Sequence, residues 1–240
     1  MDRSGEPLGD PSTDSKRGES SDLLLQATGE LLSERHSLDV TLIEIAQRSG
    51  LNSALIKYYF GNKDGLLLAL LKRDAEKAIG ELRHLVEMDL PADRKMRIHI
   101  SGIINTYYRS PYLNRLLHHL IGDGQTKAGR KIAEFFVQPI VDAQRAILAQ
   151  GEREGIFRPC DPNLFYFSLV GACDLIFHAT TSFKNVLGTS DVDDNLRQRY
   201  IAHVTEMSLS GLLHPAPVKD STSGSRKAKK AVTRKGRVNG

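Results

Sequence analysis

The sequence lacks tryptophan and has only two cysteines among its 240 residues. Cys160 and Cys173 form no Cys-x-x-Cys pair and are too few for a disulfide scaffold, so we expect a reducing, cytoplasmic setting. No apolar run reaches the roughly 18 residues that a membrane-spanning helix needs. The polar N-terminal stretch contains no apolar segment of the kind that acts as a secretory signal. These absences exclude the membrane-spanning and disulfide-rich classes of protein.

Positive charge is concentrated in one short part of the chain, although the formal net charge of the whole is only +4. Residues 215–240 carry a net +7, residues 1–21 carry −2, and residues 22–214 between them are close to neutral at −1. Both ends bury too little apolar surface to offset the entropy of the chain. We therefore predict a disordered arm over residues 1–20 and a disordered basic tail over residues 215–240.

Between these ends, apolar residues recur at the spacing of helices, and sustained two-residue alternation is absent. The first helix is predicted to run from about Asp22 to Glu34, with an inward face that includes Leu24 and Leu31. Glycines and prolines divide the chain into about nine helices, and the interior Pro139 predicts a kink or a break near Phe136–Val137.

Residues 40–50 carry strong local signals for one short helix. Thr41 and Glu44 have the spacing of a capping box, and Val40 with Ile45 has the spacing of a hydrophobic staple. A helix is therefore predicted to begin at Thr41. Gly50 suits the left-handed residue that commonly ends a helix.

A second short helix is predicted immediately after this turn. Asn52 can cap it, and Ile56 and Phe60 lie four residues apart, so both point inward. Two short helices joined by a turn that contains glycine form a helix-turn-helix, here at about residues 41–60. In that arrangement the second helix lies in the major groove of DNA and reads base edges with its first turns.

The other faces of the second helix are left for DNA. Ser53 can bond to a base edge and Leu55 can pack on a thymine methyl, while lysine and tyrosine side chains suit phosphate oxygens. Asn62 can cap a following helix whose first amides can face a phosphate. The alternative is a pair of packed helices with no role in DNA binding. The predicted DNA-binding residues are Thr41, Ser53, Ala54, Leu55, Lys57, Tyr58, Tyr59 and Lys63.

The pattern T-x-x-x-I-A-x-x-x-G, followed by Y-Y-F-x-x-K-D-x-L, resembles the TetR family of bacterial repressors. The resemblance covers about residues 22–72, and its matching residues are Thr41, Ile45, Ala46, Gly50, Tyr58, Tyr59, Phe60, Lys63, Asp64 and Leu66. It implies a nine-helix protein that dimerises and binds a small molecule through a larger C-terminal domain. The family usually has tyrosine where this chain has Lys57, and often histidine where it has Tyr59. Sequence preference for DNA is therefore not carried over.

The predicted fold class is all-α. A three-helix DNA-binding domain occupies residues 21–70, and a larger helical domain for ligand binding and dimerisation occupies residues 71–214. The layout after Gly155–Ile156–Phe157–Arg158 is loosely similar to the pyrimidine-sensing, RutR-like branch of the family. That similarity identifies no ligand.

The predicted C-terminal domain contains no catalytic constellation and no glycine-rich phosphate loop, so we expect neither an enzyme nor a cofactor. His118 and His119 are adjacent and point about 100° apart on a helix, which suits a shared metal poorly, and no metal site is predicted. Aromatic, apolar and histidine side chains can line an effector pocket, or can simply form core. The pocket candidates are His99, Ile103, Tyr107, Leu117, Phe136, Tyr166 and Phe177.

The segment from Asn163 to Phe183 is apolar almost all round, as in a helix buried in a core or an interface. The family resemblance implies that this helix and the last one, about Val192–Leu213, pair with their mates in a dimer. A two-fold dimer suits a palindromic operator in double-stranded DNA. The predicted interface residues are Phe167, Gly171, Asp174, His178, His203 and Met207.

The function predicted from these observations is that of a dimeric repressor whose operator binding is controlled by a small-molecule effector. Two alternatives stay open. One is a nucleoid-type protein that binds any DNA through its basic tail. The other is a small-molecule carrier or enzyme with a vestigial DNA module.

Overall fold

A computed structural model describes residues 11–122, 125–177 and 192–214, together with Lys184 and Gly188. The described residues are helical, which confirms the all-α prediction, and they form no strand beyond an isolated bridge between Phe157 and Leu213. The helices are α1 (Pro11–Arg35), α2 (Leu42–Ser49), α3 (Ala54–Phe60), α4 (Lys63–Glu87), α5 (Ala92–Arg109), α6 (Leu113–Ile121), α7 (Lys127–Phe136), α8 (Gln138–Arg153), α9 (Pro162–Asp174) and α10 (Asp194–Leu212).

Helix α1 begins at Pro11 rather than near Asp22. The structure therefore describes residues 11–20 as helix, where the sequence predicts a disordered arm. Residues 1–10 and the predicted tail over residues 215–240 lie outside the described residues.

The interruption predicted at Pro139 is confirmed. Helix α7 ends at Phe136, Val137 forms the joint, and α8 begins at Gln138 with Pro139 in its first turn. Proline is tolerated there because the first amides of a helix have no partner within the helix.

Two apolar clusters make up most of the core. The first joins the buried faces of α1 to α4 with residues of α6 and α7, and the second joins α5, α8, α9 and α10. Helix α4 runs across the domain boundary predicted at residue 70, and it buries Leu67 and Leu70 before that point and Ile79 and Leu82 after it. The DNA-binding and C-terminal parts of the chain therefore share one continuous helix.

Candidate nucleic-acid interface and effector cavity

The capping box predicted at the start of α2 is present. The Thr41 hydroxyl accepts a hydrogen bond from the amide of Glu44 at 3.2 Å, and Glu44 Oε2 accepts from the Thr41 amide at 2.7 Å. Arg35 donates to Glu44 Oε1 at 2.6 Å. The Arg35 guanidinium and then the Thr41 donors lower the pKa of Glu44 to about 2. The first turn of α2 is thus held to the end of α1.

A second ion pair fixes α2 against α1. Arg48 donates to both carboxylate oxygens of Glu34, each at 2.7 Å, and it also reaches Glu30 at 3.3 Å. These hydrogen bonds raise the pKa of Arg48 and lower that of Glu34. The pairs are exposed, so they orient the helices more than they stabilise the fold.

The turn between α2 and α3 has the predicted chemistry. Gly50 has a φ of 69°, in the left-handed region that favours glycine, and its amide bonds back to Ala46 and Gln47. Asn52 Oδ1 accepts a hydrogen bond from the Ala54 amide at 2.8 Å, so its side chain caps α3. Together these contacts set the angle at which α3 leaves α2.

Helix α3 turns one face to the core and another to solvent. Ile56 is fully buried, and Phe60 packs against the same apolar cluster. Ser53, Ala54, Lys57 and Tyr58 are exposed, with Tyr58 at 61%. These four predicted DNA-binding residues lie together on one surface at the start and middle of the helix.

The other four predicted DNA-binding residues are less accessible. Leu55 and Tyr59 are half-buried against the core cluster, and the Tyr59 ring lies edge-on to that of Tyr58. Lys63 is half-buried and donates from Nζ to the carbonyl of Leu38 at 3.3 Å. Thr41 is exposed, but its hydroxyl also donates to Glu44 at 2.7 Å. Sequence reasoning did not anticipate these competing contacts, because three of the four involve packing between helices.

The start of α4 lies directly behind α3. Asn62 Oδ1 accepts from the Gly65 amide at 2.8 Å, as predicted for a cap. A Cβ atom on Gly65 would stand 2.0 Å from the carbonyl oxygen of Phe60, so only glycine fits between the two helices here. The last turn of α3 therefore rests against the backbone of α4.

A cavity of about 170 Å³ lies among α4, α5, α6, α7 and α8. Five of the predicted pocket residues line it, namely His99, Ile103, Tyr107, Leu117 and Phe136. The other lining side chains are mostly apolar and come largely from α4, including Leu71, Ile79 and Leu82. Sequence reasoning missed the α4 contribution because its apolar residues are spaced like those of any amphipathic helix.

Tyr166 and Phe177, the other two predicted pocket residues, do not line this cavity. Phe177 is buried in the second core cluster, and its ring lies 6.5 Å from that of Tyr107 and 6.4 Å from that of Tyr108. Tyr166 lies on α9, and its ring lies 5.5 Å from that of Phe167.

The polar groups of the cavity are uncharged or lie at its edge. His99 is buried, and burial lowers its pKa to about 4. Gln144 Nε2 donates to the unprotonated Nε2 of His99 at 3.0 Å. Burial, and then the nearby carboxylate of Asp174, hold the pKa of Tyr107 well above its ordinary value. Histidine and tyrosine are therefore both neutral at pH 7.

Four of the predicted interface residues are exposed: Phe167, Gly171, His203 and Met207. Phe167 is 71% exposed and Met207 51%. Asp174 is buried instead, and its Oδ2 accepts from Asn114 Nδ2 at 2.8 Å. The side chain of Asp174 turns inward toward α6 within the single chain, and its place in the interface stays a prediction. His178 lies outside the described residues.

Helix α6 contacts both the cavity and the DNA-binding part of the chain. Asn114 lines the cavity, while the next residue, Arg115, donates to the carbonyl of His36 in the loop between α1 and α2. Tyr112, just before α6, donates to Asp74 of α4 at 2.5 Å. A Cβ on Gly29 of α1 would stand 2.7 Å from the Tyr112 hydroxyl. Sequence reasoning missed these residues because no local pattern marks contacts so far apart in the chain.

The described residues contain no group of three or more His, Cys, Asp or Glu side chains that could hold a metal ion. His118 and His119 are both exposed on α6. Within the same part of the chain, no helix is both long enough and apolar enough to cross a membrane.

Residues 41–60 thus define a helix-turn-helix protein with a larger helical domain. The model of the tetR family of bacterial regulatory proteins matches residues 24–70, and the model of the tetracyclin repressor-like C-terminal domain matches residues 89–218. The second match alone covers more than half of the chain. The chain belongs to the TetR family.

Curated relatives match mainly through a short stretch. The regulator BetI 2 of Chromohalobacter salexigens is 36% identical over 84 residues, which are 34% of this chain and 38% of that protein. BetI of Stenotrophomonas maltophilia is 36% identical over 63 residues, or 25% and 32% of the two chains. The matched stretch therefore spans only about a third of these relatives.

Solved structures show that the fold extends over most of the chain. A regulatory protein of the tetR family from Rhodococcus RHA1 has a TM-score of 0.64 at 13% identity, covering 82% of this chain and 98% of that one. FadR from Bacillus subtilis, in complex with stearoyl-CoA, has a TM-score of 0.58 at 18% identity, covering 80% and 99%. At these identities the likeness concerns the fold alone.

Proposed function

We propose that the protein is a cytoplasmic, dimeric transcriptional repressor that binds a palindromic operator through α3 and is controlled by a small molecule in the cavity. The observation that carries this proposal is the exposed surface of α3, held at a fixed angle by Gly50, Asn52 and the capping box. A short helix presented in this way fits the major groove. We propose no catalytic role.

The proposed DNA contacts divide by chemistry. Ser53 and Ala54 stand at the first turn, where they suit base edges and a thymine methyl, and Lys57 and Tyr58 suit phosphate oxygens. Leu55 and Tyr59 are half-buried at the edge of the core cluster, so only their exposed atoms are available to DNA. Lys63 and Thr41 already donate hydrogen bonds to the Leu38 carbonyl and to Glu44. They contact the phosphates of the operator only if they also donate to a phosphate or give up these bonds.

The proposed control runs through α6. Its Leu113, Asn114 and Leu117 line the cavity, and its Arg115 holds the carbonyl of His36. An effector that binds one arrangement of α6 more tightly than another shifts the protein toward that arrangement. The shift changes the fraction of molecules whose two DNA-binding domains are spaced to fit the operator. Helix α6 therefore connects the cavity, through Arg115 and the loop at His36, to α2 and α3.

The proposed dimer uses the exposed apolar face of α9 with α10. Leu164, Phe167 and Gly171 lie on that face, and Met207 and His203 are exposed on α10. Apolar surface of this kind is often covered in an assembly. A two-fold axis there would place two copies of α3 for the two halves of a palindrome.

The test is selection of genomic fragments by the purified full chain, followed by footprinting at physiological salt. We expect protection of a site with two-fold symmetry. Protection of no particular sequence, with equal affinity for random DNA, would contradict the proposal and favour a nucleoid-type protein.

Matched lysine variants test the role of α3. Lys57→Ala should weaken operator binding and lower the salt slope by about one, because one phosphate contact is lost. Lys131→Ala removes the same charge from an exposed position on α7 and should leave affinity unchanged. Equal affinities for both variants would mean that this face of α3 does not touch DNA, as expected of a carrier or enzyme with a vestigial DNA module.

A further inference from the structure

We propose that the cavity takes a small uncharged molecule, about one substituted aromatic ring in size, that carries a hydroxyl, carbonyl or ring N–H group. The proposal rests on the proposed function, in which this cavity is the effector site. It adds the chemical class of the effector, which follows from the volume, the charge and the polar groups of the lining.

The volume limits the size of the ligand. The cavity measures about 170 Å³, and an apolar protein cavity of about 150 Å³ holds benzene. A single ring with one substituent therefore fills the space. A long acyl thioester, such as the stearoyl-CoA bound to FadR of Bacillus subtilis, is much larger than this space and would extend out through its open side.

The lining disfavours ions. Among the described lining residues, Glu81 is the one with a charged side chain at pH 7, and it is exposed beside Lys77 at 3.9 Å. The described residues place no lysine or arginine at the cavity to pair with a carboxylate or a phosphate. An ion that leaves water and finds no partner of opposite charge loses its hydration. The free-energy cost of this loss is far larger than the gain from contact with apolar side chains.

The acidic surroundings disfavour anions in particular. The carboxylate of Asp174 lies behind Asn114 and close enough to Tyr107 to act on its ionisation. Asp174 does not itself line the cavity, so its carboxylate offers a bound cation no direct contact. The end of the cavity beside Tyr107 and Asn114 is suited to a neutral group.

Polar atoms at this end can orient the ligand. The Tyr107 hydroxyl keeps its proton and can donate, and Asn114 brings an amide to the lining. His99 lies on the same helix as Tyr107, two turns earlier, and is neutral. A few such groups in an apolar wall select a hydroxyl, a carbonyl or a ring N–H rather than a plain hydrocarbon.

The test is direct binding of ring-sized probes to the full chain without DNA. Because the chain contains no tryptophan, the fluorescence of indole can be followed without background from protein indole. The panel pairs indole and benzyl alcohol with benzoate, benzyltrimethylammonium and octanoyl-CoA, and uses calorimetry and the rise in Tm. We expect the two neutral compounds to bind at least tenfold more tightly than each charged one.

A cavity-filling variant locates the binding. Ala78→Phe places a ring in the cavity from α4 and should abolish binding of the neutral probes, whereas Ala128→Phe, at an exposed position on α7, should leave it unchanged. Equal or tighter binding of a charged probe would overturn the proposal. So would the failure of both neutral probes, or binding that survives Ala78→Phe in a folded protein.

Operator binding is then measured with the neutral probe present. A neutral probe that binds in the cavity and changes operator affinity supports both proposals. Binding in the cavity with no change in operator affinity supports the ligand class but contradicts effector control. Failure to bind any operator contradicts the proposed function alone, because the probe experiments use no DNA.

Discussion

His99 shows how burial decides the chemistry of a single residue. The side chain is 4% exposed, and its ring nitrogen accepts from Gln144, which is itself fully buried. Protonation would place a charge in the core and remove the acceptor. The histidine therefore acts as a neutral polar group in the cavity wall. Its protonation should be less favourable in the folded protein than in the unfolded chain.

Replacing His99 should flatten the dependence of stability on pH. Its pKa falls from 6.5 to about 4 on folding, so the unfolded chain binds more protons between these values. Stability is then full above pH 6.5 and falls as pH drops toward 4. Between pH 6.5 and 4.5 the loss should be roughly 2–3 kcal/mol. Urea unfolding of His99→Gln across this range should show a much smaller slope.

The exposed His118 provides the control. His118→Gln should keep the slope of the parent protein, and a His99→Gln slope equal to the parent would contradict the assignment. The range stops at pH 4.5 because carboxylates with lowered pKa values, such as that of Glu44, lose their stabilising contribution below it.

Gly65 matters through the space it leaves for the carbonyl of Phe60. Gly65→Ala would force that oxygen and the new Cβ apart from 2.0 Å, which should cost about 1–3 kcal/mol of stability and tilt α3. Gly80→Ala on the same helix meets nothing within 4 Å and should stabilise by about 0.5–1 kcal/mol. Thermal unfolding compares them, and equal effects would show that α3 and α4 are not in close contact.

At the scale of elements, the helices with strong local signals were predictable. Thr41, Glu44 and Gly50 specify the ends of α2 within a few residues, and Pro139 specifies the joint between α7 and α8. Such signals depend only on neighbours in the chain, so a sequence displays them. The extension of α1 back to Pro11 has no comparable signal, because its added turns are polar and no apolar period marks them.

Which residues of α9 face the core was not predictable in the same way. An apolar helix presents similar residues on all sides, so Asp174 was equally compatible with an interface and with the core. Its burial depends on Asn114, which lies 60 positions away in the chain. The cavity likewise depends on which faces of α4 and α5 meet, and a sequence pattern alone does not specify that.

Helix α6 is the element through which we expect the two ends of the protein to communicate. Arg115→Met removes the hydrogen bond to the His36 carbonyl but keeps a long apolar stem. Amide hydrogen exchange should become faster in residues 36–41, because the loop loses its tie to α6. Arg130→Met, which breaks a local bond to the Gln125 carbonyl on the α7 side, should leave that loop unchanged. Unaltered exchange in Arg115→Met would contradict the proposed route.

At the scale of the whole molecule, the described residues include a long exposed apolar stripe. Leu164 is 66% exposed and Phe167 71%, and their spacing puts them on the same side of α9 as Leu175, the 58% exposed residue that caps the end of this helix. The four exposed residues of α3 are too few to hold DNA tightly alone. A second copy of the chain paired through this stripe would bury the exposed apolar side chains. It would also provide a second α3 to bind DNA.

Phe167→Glu should therefore turn a dimer into a monomer. The new carboxylate would be buried against its own symmetry mate, and like charges without partners oppose association. Sedimentation velocity should show half the parent mass with unchanged helicity. Operator affinity should fall by about 100-fold or more, because two linked half-sites bind far more tightly than one. Phe135→Glu changes an aromatic side chain of α7 that is 49% exposed away from the stripe, and it should remain dimeric. A dimeric Phe167→Glu protein with full operator affinity would place the interface on another surface.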